Sequence, residues 1–151
     1  MQIRPATPAD VPRMRALERE AETSAHWAER EYDALFAPEA PKRLALVAGE
    51  GQGGIYGFIV ARCGLEEWEI ENVVVAPECR RGGVGTRLVQ DVLHQAVELG
   101  ATSVLLEVRE SNRPARKLYE RLGFVEVGRR NRYYENPEED ALLLKISVSV
   151  P

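Results

Sequence analysis

The stretch VVVAPECRRGGVGTRLVQDVL, residues 73–93, carries a strand, a turn and a helix start in one run. Its consecutive valines are β-branched residues suited to a buried strand, and Pro77 ends that strand. From Val84 onward the apolar positions Val84, Leu88, Val89, Val92, Leu93, Ala96 and Val97 recur at helical spacing, and Gly100 stands where such a helix stops. Between strand and helix lie Arg80, Arg81, Gly82, Gly83, Gly85 and Thr86. A helix that starts directly after a strand leaves its first N–H groups unpaired, and their partial positive charge attracts an anion. Glycines let the backbone approach a phosphate, and Arg80, Arg81 and Arg87 add forked donors. The turn therefore predicts a phosphate or pyrophosphate ligand.

Spacing narrows the choice. A P-loop needs a lysine that this turn lacks, and the dinucleotide fingerprint needs a glycine where Leu88 stands. What remains is Arg80-x-x-Gly83-x-Gly85.

Upstream, EEWEIENVVVAP alternates, which places Glu67, Glu69 and Glu71 on one strand face and Trp68, Ile70 and Val74 on the other. RLALVAGE and IYGFIVAR read as antiparallel strands around a glycine-rich turn. Near the start, a short strand precedes a helix signalled by Pro8 to Asp10, and a second helix runs from Glu29 to Phe36. Downstream, TSVLLEV is a buried strand that can pair parallel to the Trp68 strand through the long helix. NRPARKLYERLG is a helix with Asn112 as its cap, and two terminal strands follow. The order βααβββαβαββ predicts an α/β fold, a mixed central β-sheet with helices on both faces.

A chain of 151 residues that is 44% hydrophobic and 29% charged predicts one domain spanning residues 1–151. A net charge of −4 lacks the basic footprint of a nucleic-acid or membrane binder. Cys63 and Cys79 supply neither a disulfide framework nor a zinc site, and no metal is expected. With no signal-like apolar start and no long apolar run, the expected location is the cytoplasm. Monomer and homodimer both remain open.

The 73–93 stretch resembles the acetyl-coenzyme A motif of the GNAT N-acetyltransferases, and SNRPARKLYERLGF resembles that family's helix beside the cofactor. HWAEREYDALF and RRNRYYENPEEDALLL extend the similarity to the enzymes that acetylate ribosomal-protein N-termini. The resemblance implies acetyl-CoA as cosubstrate, held at Val73, Val74, Val75, Arg80, Arg81, Gly82, Gly83, Val84, Gly85, Thr86 and Asn112. It also implies a backbone N–H near Val74 or Val75 facing the thioester oxygen. For Asn112, helix capping is an equal claim.

Acetyl transfer to an amine needs a neutral amine, a stabilised carbonyl oxygen and a proton for the departing thiolate. By resemblance Glu107 is the base, although pairing with Arg109 or Arg113 is the competing role. Glu69 and Glu71 stand in reserve as bases or substrate contacts. Tyr119 is the expected acid, on a helix face it shares with Ala115, Leu118 and Leu122, so packing claims it too. Trp27, Tyr133 and Tyr134 are expected to border the acceptor, and the acidic run around Glu135, Glu138, Glu139 and Asp140 can attract a basic one. The acceptor is a protein N-terminus or a small amine. The alternatives are a polyamine or antibiotic acetyltransferase and a non-catalytic acyl-CoA-binding module.

Overall fold

The computed structural model describes residues 1–21, 29–38, 42–51, 54–135 and 138–149. A seven-stranded sheet in the order β1-β2-β3-β4-β5-β7-β6 runs through it. The strands are β1 (Gln2–Pro5), β2 (Arg43–Gly49), β3 (Ile55–Arg62), β4 (Glu67–Val75), β5 (Ser103–Arg109), β6 (Val125–Tyr134) and β7 (Glu139–Ser147). The helices are α1 (Val11–Glu20), α2 (Glu29–Ala34), α3 (Val84–Glu98) and α4 (Arg113–Leu122). The element order matches the sequence reading. The second helix ends two residues short of Phe36, in a turn closed by Leu35 and Phe36 N–H groups.

Helices cover both faces of the sheet, because the central strands β2 and β3 are near-continuous apolar runs whose two surfaces each need a partner. On one face, Leu88, Val89, Val92 and Ala96 of α3 and Tyr119 of α4 pack with Ile59, Trp68, Ile70, Val104, Leu106 and Leu142. On the other, Met14 and Leu17 of α1 and Tyr32 of α2 pack with Val47, Phe58, Val60 and Val74. That second cluster contains no residue of β5, β6 or β7, so among the described residues this part of the sheet carries no helix there. The bare area bears Glu107 and Arg130 of the candidate site.

Two irregularities in β4 shape that site. Val60 pairs with Asn72 but Ala61 pairs with Ile70, so Glu71 is an extra residue, a β-bulge. The bulge corrects the reading of the alternation: Trp68 and Ile70 face α3, whereas Val74 lies on the opposite face with Met14 and Phe58. An inserted residue inverts every side chain beyond it, and no change in composition marks the spot. The second irregularity is a split. The parallel pairing of β4 with β5 runs from Glu67↔Ser103 to Ile70↔Leu106 and stops, after which β5 continues beside β7 alone.

Candidate active site

The split frees one edge of β4. Ala76 donates its N–H to Tyr56 O at 2.8 Å, so the alternation of antiparallel bonds assigns Val74 and Asn72 to β3. The N–H and C=O groups of Val73 and Val75 then point into the split. Of the two positions expected to offer an N–H to a thioester, Val75 has the right direction and Val74 does not, while Val73 joins it.

The turn that follows is a nest of donors. A 3-10 turn at Pro77–Cys79 leads to Arg80, whose Nε lies 3.4 Å from Val75 O. Arg81 and Gly83 both take positive φ, +70° and +82°, and α3 begins at Val84 with no side-chain cap. The first turn of α3 closes with Arg87 N–H on Gly83 O at 3.0 Å. Among the described residues, the N–H groups of residues 81 to 86 find no acceptor. Successive free N–H groups around left-handed residues make an anion-binding concavity, reinforced here by the positive end of a helix. Gly85 is needed for close packing, since a Cβ there would stand 3.1 Å from Leu118 Cδ1. Arg80, Arg81, Gly82 and Gly83 are exposed, Gly85 and Thr86 half-buried, and Val84 buried as the first core residue of α3. The structure thus brings the predicted phosphate residues together in one concavity beside the split.

Asn112 caps α4, accepting the N–H of Ala115 at 3.3 Å. Its capping role is realised. Trp27 lies outside the described residues.

Glu107 is the first residue of β5 past the last pair with β4, on the face opposite α3 and α4. Its side chain is 17% exposed and pairs with Arg130 Nε at 3.1 Å. Neither Arg109 nor Arg113 makes this pair: Arg109 is drawn to Glu139 at 3.0 Å and lies 4.2 Å from the Tyr134 ring centre. Glu69 sits one pair below the split and makes no hydrogen bond or ion pair among the described residues. Partial burial, then the charges of Glu71 and Glu107, raise its pKa above the ordinary carboxylate value, while Arg62 and Arg130 act the other way. Glu71, the bulged residue, is held by a forked pair with Arg43 at 2.7 and 3.3 Å, which removes it as a free base. Glu67 is half-exposed beside Lys145, an ordinary solvated strand residue.

Tyr119 is buried against Phe124, ring centres 5.6 Å apart, and burial followed by the neighbouring Tyr134 pushes its pKa well up. Its hydroxyl makes no hydrogen bond with any described residue. Tyr134 is pushed up to about 12, by burial first and then by Glu107. It is an electrostatic neighbour of both Glu107 and Tyr119, and it meets the half-exposed Tyr133 edge-on at 5.2 Å. Carboxylate, buried phenol and exposed aromatic therefore converge at the split. Arg130 and Arg43 complete the charge pattern and were not singled out by the sequence, and Glu139, read there only as part of an acidic run, is the partner of Arg109. Their partners lie 23, 28 and 30 residues away in the chain, so no local spacing announces them.

An anion nest before a helix, an open strand edge leading away from it and a carboxylate at the mouth describe a site for a long phosphorylated donor. Residues 11–124 match the Acetyltransferase (GNAT) family. The chain belongs to the GNAT acetyltransferases. This acetyltransferase is 30% identical over 126 residues to the [ribosomal protein bS18]-alanine N-acetyltransferase of Escherichia coli strain K12, with 82% of each chain covered. The crystal structure of the Escherichia coli ribosomal-protein-S18-alanine N-acetyltransferase superposes with a TM-score of 0.86 at 26% identity, over 99% of this chain and 95% of that one. Ard1 from Thermoplasma volcanium superposes with a TM-score of 0.84 at 26% identity, over 97% of each chain. No helix among the described residues of the GNAT enzyme is long and apolar enough to cross a membrane. Its described residues hold no group of three or more potential metal ligands.

Proposed function

We propose that this acetyltransferase moves an acetyl group from acetyl-CoA to the α-amine of a protein N-terminus, that of a ribosomal protein by likeness to its relatives. The observation that carries the reading is the run of free N–H groups from residue 81 to 86 opening onto the bare edge of Val73 and Val75. The nest suits the pyrophosphate of acetyl-CoA, and the edge suits an extended arm with amide groups of its own. Acetyl-CoA supplies the activated acetyl thioester.

The residues divide the remaining work. The N–H of Val73 or Val75 offers a donor to the carbonyl oxygen, in a groove where it need not reorganise. Glu107 takes the proton from the attacking amine, directly or through water, because it stands at the mouth of the split and position outranks basicity in choosing a base. Arg130, 55% exposed, can swing away to release it. An α-amine, with a pKa of about 7.7 to 8.0 against about 10.4 for lysine, is the easier substrate to deprotonate. Tyr119 keeps its proton at any working pH and donates to the departing sulfur, the net result being an amide and a free thiol. Tyr133 and Tyr134 border the acceptor, and the carboxylates around them favour a basic peptide.

The test is coenzyme A release from acetyl-CoA with an Ala-starting basic peptide, the same peptide blocked at its α-amine, a polyamine and an aminoglycoside. Turnover of the free peptide alone supports the proposal. Turnover of the polyamine or aminoglycoside alone replaces the acceptor, and binding of acetyl-CoA with no turnover of any amine makes the protein a binding module.

A further inference from the structure

Glu18 is a buried carboxylate that the chemistry above does not use. It is 3% exposed on α1 and accepts two short hydrogen bonds, from the Tyr32 hydroxyl of α2 at 2.7 Å and from Asn72 Nδ2 of β4 at 2.6 Å. Both partners are buried as well, Tyr32 at 0% and Asn72 at 4% exposure. A carboxylate in an apolar cluster of Met14, Leu17, Phe58 and Val74 is costly to desolvate, and leucine would pack there at lower cost. Stability alone gives no reason for it.

Its position does. Asn72 follows the bulged Glu71 directly, and Glu71 is gripped by Arg43. Each of these two residues is therefore held by a side chain from another element, Glu71 from β2 and Asn72 from α1. The bulge decides which backbone groups of β4 face the split. If the strand slipped back to regular pairing, Val73 and Val75 would turn their N–H groups toward β3 and Val74 would replace them.

We infer that Glu18 is a positioning residue, which fixes the β4 bulge through Asn72 so that the Val73 and Val75 N–H groups face the acetyl-binding split. Through Tyr32 it also ties α2 to that register. This inference rests on the proposed acetyl-CoA reading, since it gives the open edge its role.

The test uses the full chain and separates the arm of the cosubstrate from its phosphate end. Asn72→Asp sets two carboxylates face to face, and kcat is expected to fall about tenfold or more, as misplacement of reacting groups does. Binding of phosphoadenosine diphosphate, the nucleotide end of coenzyme A without its arm, is expected to stay unchanged, because the nest does not touch Glu18. Adding Glu18→Gln to Asn72→Asp restores donor to acceptor: the new amide donates to the new carboxylate and still accepts from Tyr32, so kcat recovers. Should Asn72→Asp fail to fold, Asn72→Ser removes the amide without adding charge and carries the same comparison. Unchanged kcat in these single variants, a parallel loss of nucleotide binding, or failure of the double variant to recover overturns the inference. A parent protein that acetylates no amine overturns the proposed function first, and this inference with it.

Discussion

At the scale of single residues, the two carboxylates beside the split are distinguished by what holds them. Glu107 has a partner that can leave, whereas Glu69 makes no hydrogen bond or ion pair among the described residues and has two like charges nearby. Glu107→Gln is expected to lower kcat by about 10²-fold or more while acetyl-CoA binding persists, with Glu69→Gln the milder change, both read from steady-state kinetics. The reverse ranking would move the base to Glu69. The raised pKa of Glu69 has a sign that can be checked. Its folded state holds the proton more tightly than the unfolded chain, so its contribution to stability falls as pH rises from the ordinary carboxylate range, about 4.3, through the raised value. Carboxyl carbon NMR should find Glu69 titrating above that range, and Glu107→Gln should bring it down by removing a negative neighbour.

At the scale of elements, the turn before α3 sets affinity against stability. Arg81 adopts φ +70°, which costs a residue with a side chain about 1 kcal/mol or more. Arg81→Gly is therefore expected to raise the unfolding free energy by about 1 kcal/mol in denaturant titration, while weakening acetyl-CoA binding through the lost guanidinium. A variant that loses on both counts would mean that Arg81 packs in the free protein. This turn was legible in the sequence because its signals are local: arginines, glycines and a helical stripe within 21 residues. So were the strand and helix order and the parallel Trp68 strand pairing, each fixed by period and punctuation. The β4 bulge was not legible, because Glu71 continues the alternation of Glu67 and Glu69 without a break and only the register opposite Val60 and Ala61 shows it. The partner of Glu107 escaped for a related reason, since Arg130 reaches it across β7 from the edge strand. Local patterns name elements and their ends. Pairings across a sheet are decided by tertiary register, which a single sequence does not state.

At the scale of the molecule, the sheet consists of two leaves. One leaf is β1 to β4, the other β5, β7 and β6, and the spine between them is the short ladder from Glu67↔Ser103 to Ile70↔Leu106. Beyond that spine α3, α4 and their apolar contacts bind the leaves together. A pantetheine arm lying along Val73 and Val75 would act as mortar between them, an eighth strand lent by the cosubstrate. At a concentration about 100 times its Kd, such a ligand adds about 2.7 kcal/mol to the folded state. Amide hydrogen exchange should report where that energy is lodged: with coenzyme A bound, Val73, Val75 and residues 81–86 slow markedly, while β1 and β2 keep their rates. Protection confined to residues 81–86 would mean that the arm does not bridge the leaves. On this view the enzyme without its cosubstrate is a partly unfinished sheet, and product release reopens a seam in the protein's own architecture.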